Sequence, residues 1–236
     1  MMKLINMSET AETNFVCDFC NKTFQREQSV FKHMCETKRR VHDKDKTSNR
    51  IAFQCWLAFY NKNTNSRKPK TYLDFAKSAY YIAFLKFGNY CTSINAINIP
   101  RYLDWLLENK VSVDMWTSDQ IYTRYLIHYL KNEDPLDAIA RSIETTLTLA
   151  EESNIKAGDY LRYGNKNRIC HVITSGRISP WLLFQSVSGI EFIETLDQSQ
   201  QLLIFDYINP EQWAIKFLRS KDSVNQVKDL LKQAGY

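Results

Sequence analysis

Glycine and proline are scarce in this sequence. Among 236 residues there are 6 Gly and 5 Pro, where average usage would give roughly 16 and 12. So few chain breakers argue against glycine-rich phosphate loops, barrels with many tight turns, collagen-like repeats and long disordered tails. No apolar run approaches the ~20 residues of a membrane span, so none is expected. Residues 1–14 contain no apolar h-region. They read as a disordered N-terminus rather than a secretory signal. Walker-type phosphate loops, nucleophile elbows and HExxH are also missing, and the sequence points to no enzyme site.

Cysteine is present but not in a disulfide pattern. Six cysteines stand at 17, 20, 35, 55, 91 and 170. Three cluster within nineteen residues and three are scattered in apolar or mixed contexts. That distribution suits a metal site plus core thiols in a reducing, cytosolic compartment. The charge is also uneven. The formal net charge is +5, but residues 15–77 carry 14 Lys/Arg against 6 Asp/Glu, and residues 78–236 carry 16 against 18. A basic front is joined to a near-neutral body.

Residues 15–33 run Phe15-Val-Cys17-Asp-Phe-Cys20-Asn-Lys-Thr-Phe24, then five residues, then Val30-Phe-Lys-His33. This resembles the first three-quarters of a C2H2 zinc finger, position by position. A two-residue gap lets a tight turn present Cys17 and Cys20 to one tetrahedral ion. Phe24 and Val30 supply a minimal core, too small to fold without the ion, and His33 projects from the helix toward it. The expected cofactor is Zn2+. The fourth ligand departs from the family pattern, because Glu36, Thr37 and Lys38 fill the positions where His or Cys is expected. Cys35 and His42 are the alternatives. On a continuing helix Cys35 would sit ~200° from His33, so it reaches the ion only if the helix ends there. His42 needs a return across a basic segment. Cys35 is preferred, since thiolate suits zinc and the reach is short.

Read through the same resemblance, Arg26, Ser29 and Lys32 fall at base-contacting positions, and Lys38, Arg39 and Arg40 follow as phosphate-holding candidates. The same cations would equally meet an acidic protein face. A single finger reads only ~3 base pairs, and no second one follows.

Beyond residue 46 the periodicity is helical almost throughout. The expected organisation is a disordered 1–14, a finger with its basic segment over 15–46, and a helical domain over 47–236. The fold class is mainly α: a small ββα-like finger, then an all-α multi-helix domain with one short β segment. Helices are expected over roughly 48–62, from Thr71 to Gly88, after Pro100, after a Thr117–Gln120 capping box, from Asp134-Pro135 to Ser153, after Ser179-Pro180, after a Ser188–Glu191 capping box, after Asn209-Pro210, and from Asp222 or Ser223. Ile169-Cys170-His171-Val172-Ile173, flanked by Gly164 and Gly176, reads as a strand or a hairpin arm that cannot form a sheet alone. His128 reads as a core or interface residue. A Cys170–His171 dyad is geometrically poor, since neighbours on a strand point to opposite faces. The aromatic stripe from Tyr72 through Phe75, Tyr80, Tyr81, Phe84 and Phe87 to Tyr90 reads as core.

The finger with Lys38-Arg39-Arg40, followed by Tyr80-Tyr81-Ile-Ala-Phe-Leu-Lys-Phe-Gly88, Asp114-Met-Trp116 and Ile178-Ser-Pro-Trp181, is similar to the zinc-finger-containing baseplate hub assembly catalysts of T-even-type tailed phages. The similarity spans residues 15–236. It implies a late, non-enzymatic assembly factor of the host cytoplasm, acting in tail morphogenesis by helping baseplate hub proteins associate. Only the zinc-site pattern carries over residue by residue. The alternative is a single-finger DNA- or RNA-binding regulator. A nuclease accessory is a weaker third reading.

Overall fold

The structure is a computed structural model that describes residues 14–64 and 68–236. The segment 1–14, expected to be disordered, lies outside the described residues except for Asn14. The chain divides into two compact units between Thr117 and Ser118. Both are helical, and among the described residues the sheet is a single two-stranded pair. No described helix is long and apolar enough to cross a membrane.

The first unit opens with β1 (Phe15–Val16) and β2 (Thr23–Phe24), antiparallel, with Phe15 opposite Phe24 and Val16 opposite Thr23. Their turn is closed by Cys17 N–H on the Lys22 carbonyl at 3.0 Å and Asn21 N–H on the Cys17 carbonyl at 2.8 Å. Asn21 takes a left-handed φ of 58°, a conformation asparagine tolerates better than most residues. Two short helices follow, α1 (Glu27–Lys32) and α2 (Glu36–His42). Then come α3 (Thr47–Asn63), α4 (Tyr72–Lys77), α5 (Tyr81–Ser93) and α6 (Ile99–Glu108).

The Thr71–Asp74 capping box forms, with Thr71 N–H donating to Asp74 Oδ2 at 2.8 Å. The helix it opens does not run to Gly88 as expected. It breaks at Ser78, whose ψ of 144° is extended, and α5 restarts at Tyr81. Gly88 lies inside α5 rather than ending it. A Cβ there would stand 2.3 Å from the Ser48 carbonyl and 3.1 Å from the Ala52 Cβ. The glycine is therefore the contact that lets α5 lie against α3, a packing role that outweighs its low helix propensity.

The aromatic stripe is largely core. Phe75, Tyr81, Phe84 and Phe87 are buried, while Tyr80 is exposed. Trp116 closes the cluster, meeting Phe84 at 5.6 Å and Phe87 at 5.5 Å between ring centroids. Its indole N–H donates to the Val111 carbonyl at 3.0 Å, and its own carbonyl accepts from the Tyr102 hydroxyl at 3.0 Å. Cys55 and Cys91 are buried thiols, and burial pushes Cys55 up to about 12.

The second unit contains α7 (Asp119–Asn132), α8 (Pro135–Ser153), α9 (Tyr160–Tyr163), α10 (Lys166–Thr174), α11 (Pro180–Gln185), α12 (Val187–Glu194), α13 (Gln198–Ile208), α14 (Pro210–Arg219) and α15 (Lys221–Gln233). Asp134, Ser179 and Asn209 cap their helices with proline next, as the sequence suggests. Three starts differ from expectation. Ser118, not Thr117, precedes α7, and its side chain makes no cap bond. Ser186 caps α12 by accepting from Gly189 N–H at 3.0 Å, which leaves Ser188 inside the helix. α15 begins at Lys221, just ahead of Asp222 and Ser223.

The expected strand at 169–173 is helix α10. Asn165 caps it through Arg168 N–H at 3.0 Å, and Ile169, Cys170 and Ile173 bury one face. That i, i+1, i+4 spacing is helical. Among the described residues no further strand pairs with this segment, so its β-branched composition does not override the helical spacing.

Candidate metal centre

The finger-like module is built so that α1 ends at the right residue. Its last helical residue is Lys32, and His33 leaves the helix with φ −69° and ψ 123°. The chain is extended again at Cys35, with φ −73° and ψ 166°, which makes Cys35 the N-cap of α2. The ~200° separation expected on a continuous helix therefore does not arise. Cys35 turns back, and its Sγ also accepts from Lys38 N–H at 3.4 Å.

Cys17, Cys20, His33 and Cys35 place their ligand atoms within 4.8 Å of one another. Cys20 Sγ and His33 Nε2 are 3.3 Å apart. Tetrahedral ligands at a Zn–S distance of ~2.3 Å stand ~3.8 Å from each other. Three thiols and one imidazole at this spacing are a donor set suited to a tetrahedral, thiophilic ion. His42 stands apart. Its side chain is 81% exposed, and its Nδ1 lies 3.7 Å from Asp43 Oδ1. Phe24 packs on the His33 ring at 4.9 Å between centroids, so the expected minimal core also positions a ligand.

The thiols are not equivalent. At Cys17, partial burial works against ionisation. Hydrogen bonds from the Phe19 and Cys20 backbone and from the other two thiols outweigh it and hold the group below its ordinary value. Cys20 is drawn down by its Lys22 backbone hydrogen bond, but burial and the neighbouring sulfurs raise it overall. The two thiols are thus shifted in opposite directions, because the charge of one thiolate opposes ionisation of the next.

No protein-family model, curated protein or solved structure matches this chain.

The six candidate anion-binding residues divide into two groups. Arg26, Ser29 and Lys32 are exposed along α1, and Arg39 is exposed on α2. Lys38 and Arg40 serve the chain itself. Lys38 Nζ donates to the Phe31 carbonyl at 3.3 Å and the His33 carbonyl at 3.2 Å, tying α2 to the end of α1. Arg40 donates to the Ala76 carbonyl at 2.7 Å, pairs with Glu36, and lies 4.3 Å from the centroid of the Tyr81 ring. These contacts dock α2 on α4 and α5.

Sequence reasoning missed Phe31, which is 84% exposed, and Met34, which is half exposed. Phe31 lines a surface cavity of about 400 Å³ with Glu27, Gln28 and Lys32. A bulky apolar residue next to the half-buried Val30 was the available signal, since the finger pattern gives it no core position. The remaining candidates do not assemble. His128 is exposed, contrary to a core reading, and Cys170 is buried while His171 is exposed.

Proposed function

We propose that the chain is a non-enzymatic zinc-binding assembly factor that works through protein–protein contacts. The setting its resemblance suggests is association of baseplate hub components during phage tail assembly in the host cytoplasm. The observation that carries this reading is the convergence of Cys17, Cys20, His33 and Cys35 beside a solvent-facing Phe31. Zinc is the ion of choice because three thiolates and an imidazole in a small tetrahedral site favour it over harder cations. So small a module has too little core to fold alone, and the ion supplies its folding energy.

Protein rather than nucleic acid is favoured by what the surface offers. Two of the three cations after the finger are engaged by this chain's own carbonyls and ring. The exposed Phe31 on α1 contributes apolar area of the kind that anchors protein interfaces. A pull-down of the tagged full chain from infected cells, followed by mass spectrometry, is expected to recover baseplate hub proteins. Phe31→Ala should reduce that recovery without changing zinc content. Recovery of no baseplate protein would contradict the reading. So would filter retention of DNA or RNA with a salt slope near −0.9 per phosphate contact.

A further inference from the structure

A second cation cluster lies far in sequence from the basic front. In the unit Ser118–Tyr236, a cavity of about 310 Å³ is lined by residues that include Lys131, Gln212, Trp213, Ile215, Lys216 and Arg219. That unit carries 13 Lys/Arg against 15 Asp/Glu, so three cations around one cavity reverse the local sign. Part of this has an ordinary cause. Lys131 sits in the last turn of α7, and Lys216 and Arg219 in the last turn of α14, where cations complement the helix dipole. Lys216 Nζ also donates to the Lys131 carbonyl.

The dipole does not account for the rest. Among the described residues no ion pair engages Lys131, Lys216 or Arg219. Lys216 Nζ lies 5.7 Å from the centroid of Trp181 and 5.5 Å from that of Trp213. Burial holds its ammonium below the ordinary value, although the charge of Glu133 acts in the other direction. Glu133 itself is already bound to Arg141 at 2.6 Å. The ammonium has given up water without gaining a carboxylate of its own, and an incoming anion would make up that loss. Ile215, which lines the cavity, and Leu218, which lines a neighbouring one, stand one turn apart on α14, both at least half exposed. Apolar side chains next to cations fit an amphipathic peptide better than a bare oxyanion.

We propose that this cavity and the adjoining face of α14 bind an acidic amphipathic segment of a partner protein, with its carboxylates on Lys131, Lys216 and Arg219 and its apolar side chains on Ile215 and Leu218. The site is independent of the finger and stands whether or not the metal reading holds. The test uses the full chain and a labelled twelve-residue peptide of alternating Glu and Leu, followed by fluorescence anisotropy. Binding should be saturable and weaken about tenfold or more in Lys131→Glu/Arg219→Glu, each lost charge-assisted contact being worth several-fold. Circular dichroism of that variant should match the parent. Arg26→Glu/Arg39→Glu, which changes exposed cations of the finger, should shift affinity less than twofold. Leu218→Asp should weaken the peptide while leaving the cations in place. The proposal is overturned if the peptide does not bind, if the finger variant loses affinity as much as the cavity variant, or if inorganic phosphate alone displaces the peptide at equal concentration.

Discussion

At the scale of single residues, side chains that look alike in the sequence do different work. Lys38, Arg39 and Arg40 form one basic run, yet Lys38 and Arg40 hold α2 to its neighbours while Arg39 faces solvent. Arg40→Met should therefore cost about 2 kcal/mol of stability, combining a charge-assisted hydrogen bond with a cation–π contact. Arg39→Met should be neutral within about 0.5 kcal/mol. Denaturant melts of the two variants separate these outcomes. Asp74 makes a second residue-scale prediction. Hydrogen bonds from the backbone and hydroxyl of Thr71 hold its carboxyl below the usual value of 3.8. Its folded value is depressed, so the stability it adds is present above the unfolded value and is lost as pH falls through the folded one. Asp74→Asn should flatten the pH dependence of melting below about pH 4, and Thr71→Ala should cost about 1 kcal/mol at neutral pH.

At the scale of elements, packing decides what local pattern leaves open. Gly88 looked like a helix stop, and it is the close-contact point of α5 on α3 instead. Gly88→Ala gains helix propensity of about 1 kcal/mol, but its new Cβ meets a backbone oxygen that cannot move aside. The net effect should be destabilising, read as a lower melting temperature with unchanged zinc content. Helix starts were legible where a capping side chain precedes proline, at Asp134, Ser179 and Asn209. They were less legible where two serines compete: Ser188 with Glu191 has the capping-box spacing, yet Ser186 makes the cap through Gly189 N–H. Segment 169–173 shows the same limit: four apolar residues around His171, three of them β-branched, fit a strand or a buried helical face, and only the rest of the unit decides. The metal cluster was the most legible part of the chain, because ligand spacing is fixed by the ion rather than by tertiary context. The exposed Phe31 was not, because the pattern that marks a finger says nothing about its outer face.

At the scale of the whole molecule, the two units carry different stakes. The second unit has an ionic core, with Glu133 buried, bridged to Arg141, and accepting from the Ser179 hydroxyl at 3.2 Å. Burial raises the Glu133 carboxyl above its ordinary value despite Arg141. Glu133→Ala should cost about 3–5 kcal/mol by leaving the guanidinium without its partner, with loss confined to the unit that contains it. If the proposed ion supplies the finger's folding energy, its removal should act on the other unit at the finger, while α3 to α6 keep an aromatic core of their own. The most direct test of the metal assignment is native mass spectrometry of the full chain with its Cys35→Ser and His42→Ala variants. The account predicts one zinc per chain in the parent and in His42→Ala, and loss or marked weakening of zinc in Cys35→Ser. Zinc retained in Cys35→Ser and lost in His42→Ala would contradict it.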